Sequence, residues 1–248
     1  MQLSRITEHL DSYLRVAEID DSSVNGLQVE TDRDITRIAA AVDASLDAFT
    51  RAQEAGAELL LVHHGLFWEK APLRGALYRR VRFLIENGMS LYAAHLPLDM
   101  HPEAGNNAQL AKMIGLANAK PFLRYRGSLI GLIGEVKATS VQDFTAMVER
   151  RLSSPVKLLD FGRPAITRVA ICSGGGGPDL MQAAEAGADV YLTGETSHGA
   201  AILARDAGIN VIFAGHYATE TLGPRALAKH IEDAFGIPTV FIESPTGL

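Results

Sequence analysis

The chain of 248 residues carries one cysteine, Cys172, and one tryptophan, Trp68. A single thiol closes no intrachain disulfide, which excludes a disulfide-stapled scaffold and suits a reducing compartment. Basic residues are not in excess: 23 Lys and Arg stand against 29 Asp and Glu, a formal charge of −6. Because a phosphate-tracking surface shows as a basic excess, nucleic acid is not the expected partner. No apolar run approaches the ~20 residues needed to span a membrane. The first ten residues are polar and amphipathic, unlike the apolar stretch of a secretory signal. A cytoplasmic protein without a membrane partner is therefore expected. Low-complexity tracts are absent, and 47% apolar with 21% charged residues excludes wholesale disorder. Also missing are the Gly-Lys-Ser/Thr ending of a P-loop and the spacing of a dinucleotide fingerprint. No serine or cysteine triad is suggested either, and Cys172 reads as a buried, inert thiol.

What the sequence does contain is a repeat. Ile35-Thr36-Arg37-Ile38-Ala39 returns as Ile166-Thr167-Arg168-Val169-Ala170, and Glu54–Leu61 returns as Glu185–Leu192, both at an offset of 131. Leu91–His95 matches Ile212–His216 at an offset of 121. Three matches in one order point to two related halves, 1–125 and 126–248, with the C-terminal segment free to pack back on the first. Each half alternates short apolar runs with helical patterns. Strands are expected at Ile38–Val42, Leu59–Val62, Ser90–Ala94, Val169–Cys172, Val190–Thr193 and Asn210–Ala214. Helices are expected at 3–16, Leu46–Ala55, Ala76–Asn87, 142–152, Asp179–Ala186, His198–Ala207 and Arg225–Phe235, several stopped by a following glycine. This order implies an α/β fold of mostly parallel strands flanked by helices.

Polar residues gather where the strands end, which is where open α/β sheets hold ligands. His63 and His64 follow one strand, and His95 follows the next, with Asp99 four residues on. His216 follows a strand of the second half, with Glu220 four residues on. The counterpart of His63-His64 is Gly194-Glu195. Imidazole with carboxylate and no thiolate suits zinc, iron, manganese or nickel. Two adjacent histidines can address two ions, and a carboxylate such as Glu220 can bridge them. Two ions roughly 3.5–4 Å apart polarise a substrate oxygen and turn bound water, its pKa drawn towards about 7, into a nucleophile.

Other features read more plainly. His9, His101 and His230 read as hydrogen-bonded core or surface residues, and so does His198, although it lies three residues past Glu195. The Ser173–Pro178 loop joins a strand to a helix and is either a tight turn or a phosphate cradle. Asn25–Val29 signals a turn. Trp68 either packs or stacks on a base, and Arg124 with Arg126 reads as a solvated pair.

Taken together, Asn25–Val29, Val62-His63-His64-Gly65, Ala94–Asp99, Gly105-Asn106-Asn107, Gly194-Glu195 and Gly215–Glu220 resemble the NIF-three-like family, also described as GTP cyclohydrolase I type 2 homologues. The resemblance covers essentially the whole chain. It implies two similar, intertwined α/β domains from an internal duplication, around a dinuclear centre of two divalent metal ions. It also implies a ring-shaped homohexamer with sites facing an inner cavity. It assigns His63, His64, Asp99, His216 and Glu220 as metal ligands, with Glu220 bridging. His95 then lies behind the ligands or contacts substrate, as the catalytic residue that shuttles protons near neutral pH. Where relatives often carry a second histidine after the first, this chain has Tyr217, which receives no metal role. The inserted domain of longer relatives is absent, so roles tied to it do not transfer.

The function this implies is a metal-dependent hydrolase of a small molecule, a nucleotide or related heterocycle or phosphoester, acting through a metal-bound hydroxide. Its most specific form opens the imidazole ring of GTP and releases formate. The rival is a non-catalytic metal-binding protein, an insertion factor or a scaffold; a weaker third reading is a regulatory partner of transcription or DNA repair.

Overall fold

The computed structural model describes residues 1–68 and 71–247. In chain order it begins with α1 (Leu3–Leu14), β1 (Gly26–Val29), β2 (Ile38–Asp43), α2 (Leu46–Glu54), β3 (Leu59–His64), α3 (Gly75–Asn87), β4 (Ser90–Ala93) and α4 (Leu96–Met100). There follow α5 (Asn106–Ile114), β5 (Ala117–Tyr125), β6 (Ser128–Ser140), α6 (Val141–Leu152), β7 (Lys157–Asp160) and β8 (Ala165–Cys172). The chain ends with α7 (Leu180–Glu185), β9 (Val190–Thr193), α8 (His198–Ala207), β10 (Asn210–Phe213), α9 (His216–Glu220), α10 (Leu222–Phe235) and β11 (Thr239–Phe241).

Two compact units result. One comprises Met1–Gly105 and Gly223–Ser244; the other comprises Asn106–Leu222 and the residues from Pro245 on. The sequence reading divides the chain at 125/126. The compact units divide earlier because α5 packs against β6 and β8, and β5 pairs with β6. The first unit regains α10 and β11, the latter running parallel to β2.

The first unit holds a five-stranded sheet in the order β1-β4-β3-β2-β11, the second a six-stranded sheet in the order β5-β6-β8-β9-β10-β7. In each, the central strands are parallel, as the alternation of strand and helix predicts. The margins are antiparallel: β1 on β4, β7 on β10, and β5–β6–β8. The fold is therefore mixed α/β. The glycine-spaced stretch 127–134 lies mostly in β6. Gly131 and Gly134 face backbone of neighbouring segments so closely that a Cβ would collide with the carbonyls of Ile171 and Ala117.

Both faces of each central sheet are covered, which is why these strands read as continuous apolar runs. In the first unit, Ile38, Ala40, Leu59, Leu61 and Tyr92 pack on α1 and α10, while Ala39, Ala41, Leu60, Val62 and Leu91 pack on α2 and α3. In the second, Val169, Ile171, Val190 and Leu192 face α5 and α6, whereas Ala170, Tyr191 and Val211 face α7 and α8.

The repeated sequence makes a repeated staple. The Glu58 carboxylate accepts hydrogen bonds from the backbone N–H groups of Thr36 and Arg37 and from the Thr36 hydroxyl. The Asp189 carboxylate does the same for Thr167 and Arg168. Burial alone raises the pKa of each carboxyl, but these donors outweigh it and hold both groups below their ordinary range. Each staple's electrostatic contribution is therefore complete above the unfolded-state pKa and is lost as pH falls through the folded one. Glu58→Gln and Asp189→Asn are each expected to lower Tm by about 2–4 °C at pH 7. In calorimetric scans at successive pH values that deficit should shrink below about pH 4, where the native carboxyls protonate too.

The register also corrects one expectation. Ile38 pairs with Leu59 as Val169 pairs with Val190, which keeps the offset of 131. Leu59 then pairs with Ser90, and Val190 with Asn210. The N–H of Ala94 donates to Val62 and that of Ala214 to Thr193. Ala94 and Ala214 are thus equivalent, and the third repeat lies one residue out of the sequence match. His95 caps α4 where Gly215 caps α9, so His216 is not the twin of His95. The two halves present different donors from non-equivalent positions, not a mirrored His-x3-Asp and His-x3-Glu.

Candidate metal centre

His63, His64, His95 and Asp99 lie in the first unit, His216 and Glu220 in the second. His63 and His64 are the last two residues of β3. Adjacent side chains within a strand point to opposite faces. Here the strand ends, and the two rings lie 4.5 Å apart between centroids. His95, just past β4, places its ring 5.1 Å from that of His63 and 5.7 Å from that of His64. One ring nitrogen from each of the three lies within 4.8 Å of the others.

Each of these histidines is oriented through Nδ1 by an oxygen. His63, fully buried, meets the carbonyl of Ala94 at 2.9 Å. His64 meets Oδ1 of Asp43 at 2.9 Å. His95 meets Oδ1 of Asp21 at 2.9 Å. Carbonyl and carboxylate oxygens only accept, so Nδ1 is the donor in all three rings, and in the neutral tautomer Nε2 is left as the ligating nitrogen. Asp99, buried on the short helix α4, brings Oδ1 to 3.5 Å from Nε2 of His63. Imidazole nitrogens and a carboxylate, the rings braced from behind, fit a divalent transition metal.

The bracing residues were not singled out as such in the sequence. Asp21 accepts from the backbone N–H of Leu96 at 2.9 Å, from that of Ser23 at 3.1 Å and from the Asn25 amide at 2.9 Å. Asn25 in turn accepts from the His95 N–H at 2.7 Å. Burial raises the Asp21 pKa, but the hydrogen bond from the His95 ring, with those from the Asn25 amide and the Ser23 N–H, prevails and keeps its carboxyl well below the usual range. The turn at Asn25–Val29 is thus part of the site's support. Gln28 accepts from the Leu66 N–H at 2.7 Å, and the Gln28 side chain fills the space a Cβ on Gly65 would need. Asp21→Asn replaces an acceptor by a donor opposite buried donors. It is expected to cost about 2 kcal/mol of stability in denaturant titration, and Asn25→Ala less, because it leaves the carboxylate in place.

In the second unit, His216 opens α9 and Glu220 ends it, one turn apart. Nε2 of His216 lies 3.0 Å from Oε2 of Glu220, and Nδ1 lies 3.1 Å from Oε2 of Glu195. Glu220 is buried; Glu195 is half-exposed. Burial opposes the imidazolium, yet the carboxylates of Glu220 and Glu195 outweigh it and raise the His216 pKa to about 9. A cation bound here takes the place of that proton. The glycine loop after β8 closes against this pair. Gly174 has φ +62, its N–H donates to the Thr219 hydroxyl at 3.0 Å, and a Cβ there would overlap the Glu220 carboxylate.

The remaining sequence candidates fall elsewhere. His9, His101 and His230 form their own group with Tyr13: the His9 and His230 Nε2 atoms lie 2.9 Å apart and the Tyr13 ring stacks on His230 at 3.7 Å. His198, Arg124 and Arg126 are exposed. Tyr217 is buried. Cys172 is buried, with its Sγ 3.6 Å from the Ser173 carbonyl. No described helix is long and apolar enough to cross a membrane.

Comparison with known proteins agrees with the sequence resemblance. A protein of Pyrococcus abyssi named GTP cyclohydrolase 1 type 2 homolog is 44% identical over 251 residues, covering all of both chains. Its namesake in Deinococcus radiodurans is 46% identical over 96% of this chain and 92% of its own. Among solved structures, TTHA1606 from Thermus thermophilus matches with a TM-score of 0.92 at 38% identity, over the full length of both chains. The sequence pattern of Duf34/NIF3 (NGG1p interacting factor 3) matches residues 1–247, and the chain belongs to that family.

Proposed function

We propose that this protein is a hydrolase dependent on two divalent metal ions, with a small-molecule substrate such as a nucleotide or related heterocycle or phosphoester. The observation that carries the reading is the common bracing of His63, His64 and His95. Three neighbouring imidazoles, each tied at Nδ1, offer Nε2 as a base or ligand. On this reading His63, His64, Asp99, His216 and Glu220 would hold the ions. Zinc, iron, manganese and nickel all suit this donor set. When bound, such ions polarise a substrate oxygen and acidify water.

The chain's own residues supply the rest. Asp21 holds the His95 ring by Nδ1, which leaves Nε2 as the nitrogen that takes a proton. His95 then returns that proton to the leaving group. Glu195 does the corresponding work behind His216, fixing its ring. The homohexamer and the cytoplasmic location belong to the same reading.

The name shared by the relatives supplies the first substrate to try. Metal-loaded protein is expected to release formate from GTP faster than the same metals in solution, or to hydrolyse a phosphoester from a mixed panel. Stoichiometric metal binding without turnover on either would replace the hydrolase by the metal-binding or insertion role.

A further inference from the structure

Trp68 is the one bulky aromatic beside these histidines that retains substantial exposure, 38% of its surface. Its ring lies 4.9 Å from that of His95, close to perpendicular at 71°, and 5.9 Å from that of His64. The indole is held rather than left to swing. Its Nε1–H donates to the Gly65 carbonyl at 3.1 Å, so the polar edge of the ring is satisfied within its own turn. That turn is tied in two more places: the Val24 N–H donates to Phe67 O at 2.9 Å, and Gln28 accepts from Leu66. An indole with its N–H engaged, its turn strapped on both sides and part of its surface in water has only π-surface and edge left to offer.

From this arrangement we infer that Trp68 is a stacking face for a planar heterocycle, seated over the histidine group. The inference rests on the proposed function only in taking that group as the reacting centre. The chemistry around the ring selects the ligand class. A flat ring gains contact with the indole face, as bases do on aromatic platforms. The neighbouring imidazoles of His64 and His95 and the carboxylate of Asp43 are polar, which favours a heterocycle bearing hydrogen-bonding nitrogens and oxygens over a hydrocarbon. Substrates that share a sugar and a phosphate are then told apart by the ring.

Because Trp68 is the chain's only tryptophan, its fluorescence reports this one position. The full-length protein with its metals is titrated with GMP and, separately, with ribose 5-phosphate, which has the sugar and phosphate but no ring. Saturable quenching by GMP and none by ribose 5-phosphate is expected. Calorimetry should show GMP binding weakened about tenfold in Trp68→Ala and largely kept in Trp68→Phe, with unchanged metal content in both. No quenching by GMP, or equal GMP affinity in wild type and Trp68→Ala, overturns the inference. Quenching by GMP in protein that holds no metal and turns over no substrate supports the stacking face while removing the hydrolase reading.

Discussion

His64→Ala is expected to leave the fold standing and strip the protein of metal. His64 ends β3, with its side chain 18% exposed, and its ring Nδ1 meets Asp43, itself 36% exposed. Truncating it opens no closed cavity, so the stability cost should stay near the typical ~1 kcal/mol of a point substitution. The loss at the site is of another order. Removing a residue that merely orients a ligand costs about 10–100-fold in metal affinity or activity. On the proposed reading His64 is itself a ligand, so its removal should exceed the upper end of that range. Asp43→Ala is the matching control, since it keeps the imidazole and deletes its brace, and it should fall within the range. Metal content by mass spectrometry, affinity by competitive chelation and turnover are measured together, with a thermal melt to show that the fold survives. Wild-type metal content and affinity in a folded His64→Ala protein would remove His64 from the ligand set. Truncating His63 is the poorer experiment, because that ring is fully buried and its loss confounds binding with packing.

The ease with which β2, β3, β8 and β9 are read from sequence has a physical origin. Strands covered on both faces must be apolar at every position, and the helices that cover them end at glycines with positive φ, such as Gly56, Gly88, Gly187 and Gly208. The antiparallel margins escape that reading. β5 has mostly exposed residues and β6 alternates loosely, with two glycines where neighbouring backbone comes close. Neither carries the apolar run of a buried strand. The ligand candidates were legible because histidines at strand ends are conspicuous. Their braces were not: Asp21 is 74 residues from His95, and Asp43 is 21 residues from His64. Nothing local in the chain joins those pairs, and only the folded sheet brings each carboxylate to its ring. The slip between His95 and His216 has a similar cause. Ala93-Ala94-His95 and Ala214-Gly215-His216 align by residue type, whereas backbone pairing obeys hydrogen bonds and equates Ala94 with Ala214.

Gly174 offers the second large effect, because two costs of a methyl group can be separated there. Gly174 and Gly187 both adopt left-handed backbone, at φ +62 and +74. A Cβ on Gly187 meets nothing within 4 Å, so Gly187→Ala should cost only the conformational penalty, about 1–2 kcal/mol. Gly174→Ala carries the same penalty and in addition drives its Cβ into the Glu220 carboxylate, with Nε2 of His216 only 3.1 Å away. The obstacle is a side-chain end, not backbone. The chain therefore relieves the overlap by turning Glu220 aside, and stability falls little further than in Gly187→Ala. The functional cost is then out of proportion: the carboxylate leaves Nε2 of His216, and the second unit's pair of donors no longer presents one bite. The imidazolium loses a partner with it, so the His216 pKa, raised to about 9 in the wild type, should move back towards the ordinary imidazole value. Titrating the His216 ring by NMR in metal-free protein reads that shift, calorimetry of metal binding reads the lost affinity, and denaturant titration of both variants supplies the comparison. Equal stability losses with a lowered His216 pKa and weakened metal binding in Gly174→Ala alone are the expected pattern. An unmoved His216 titration in Gly174→Ala would show that the loop glycine is there for its turn and not for the carboxylate beside it.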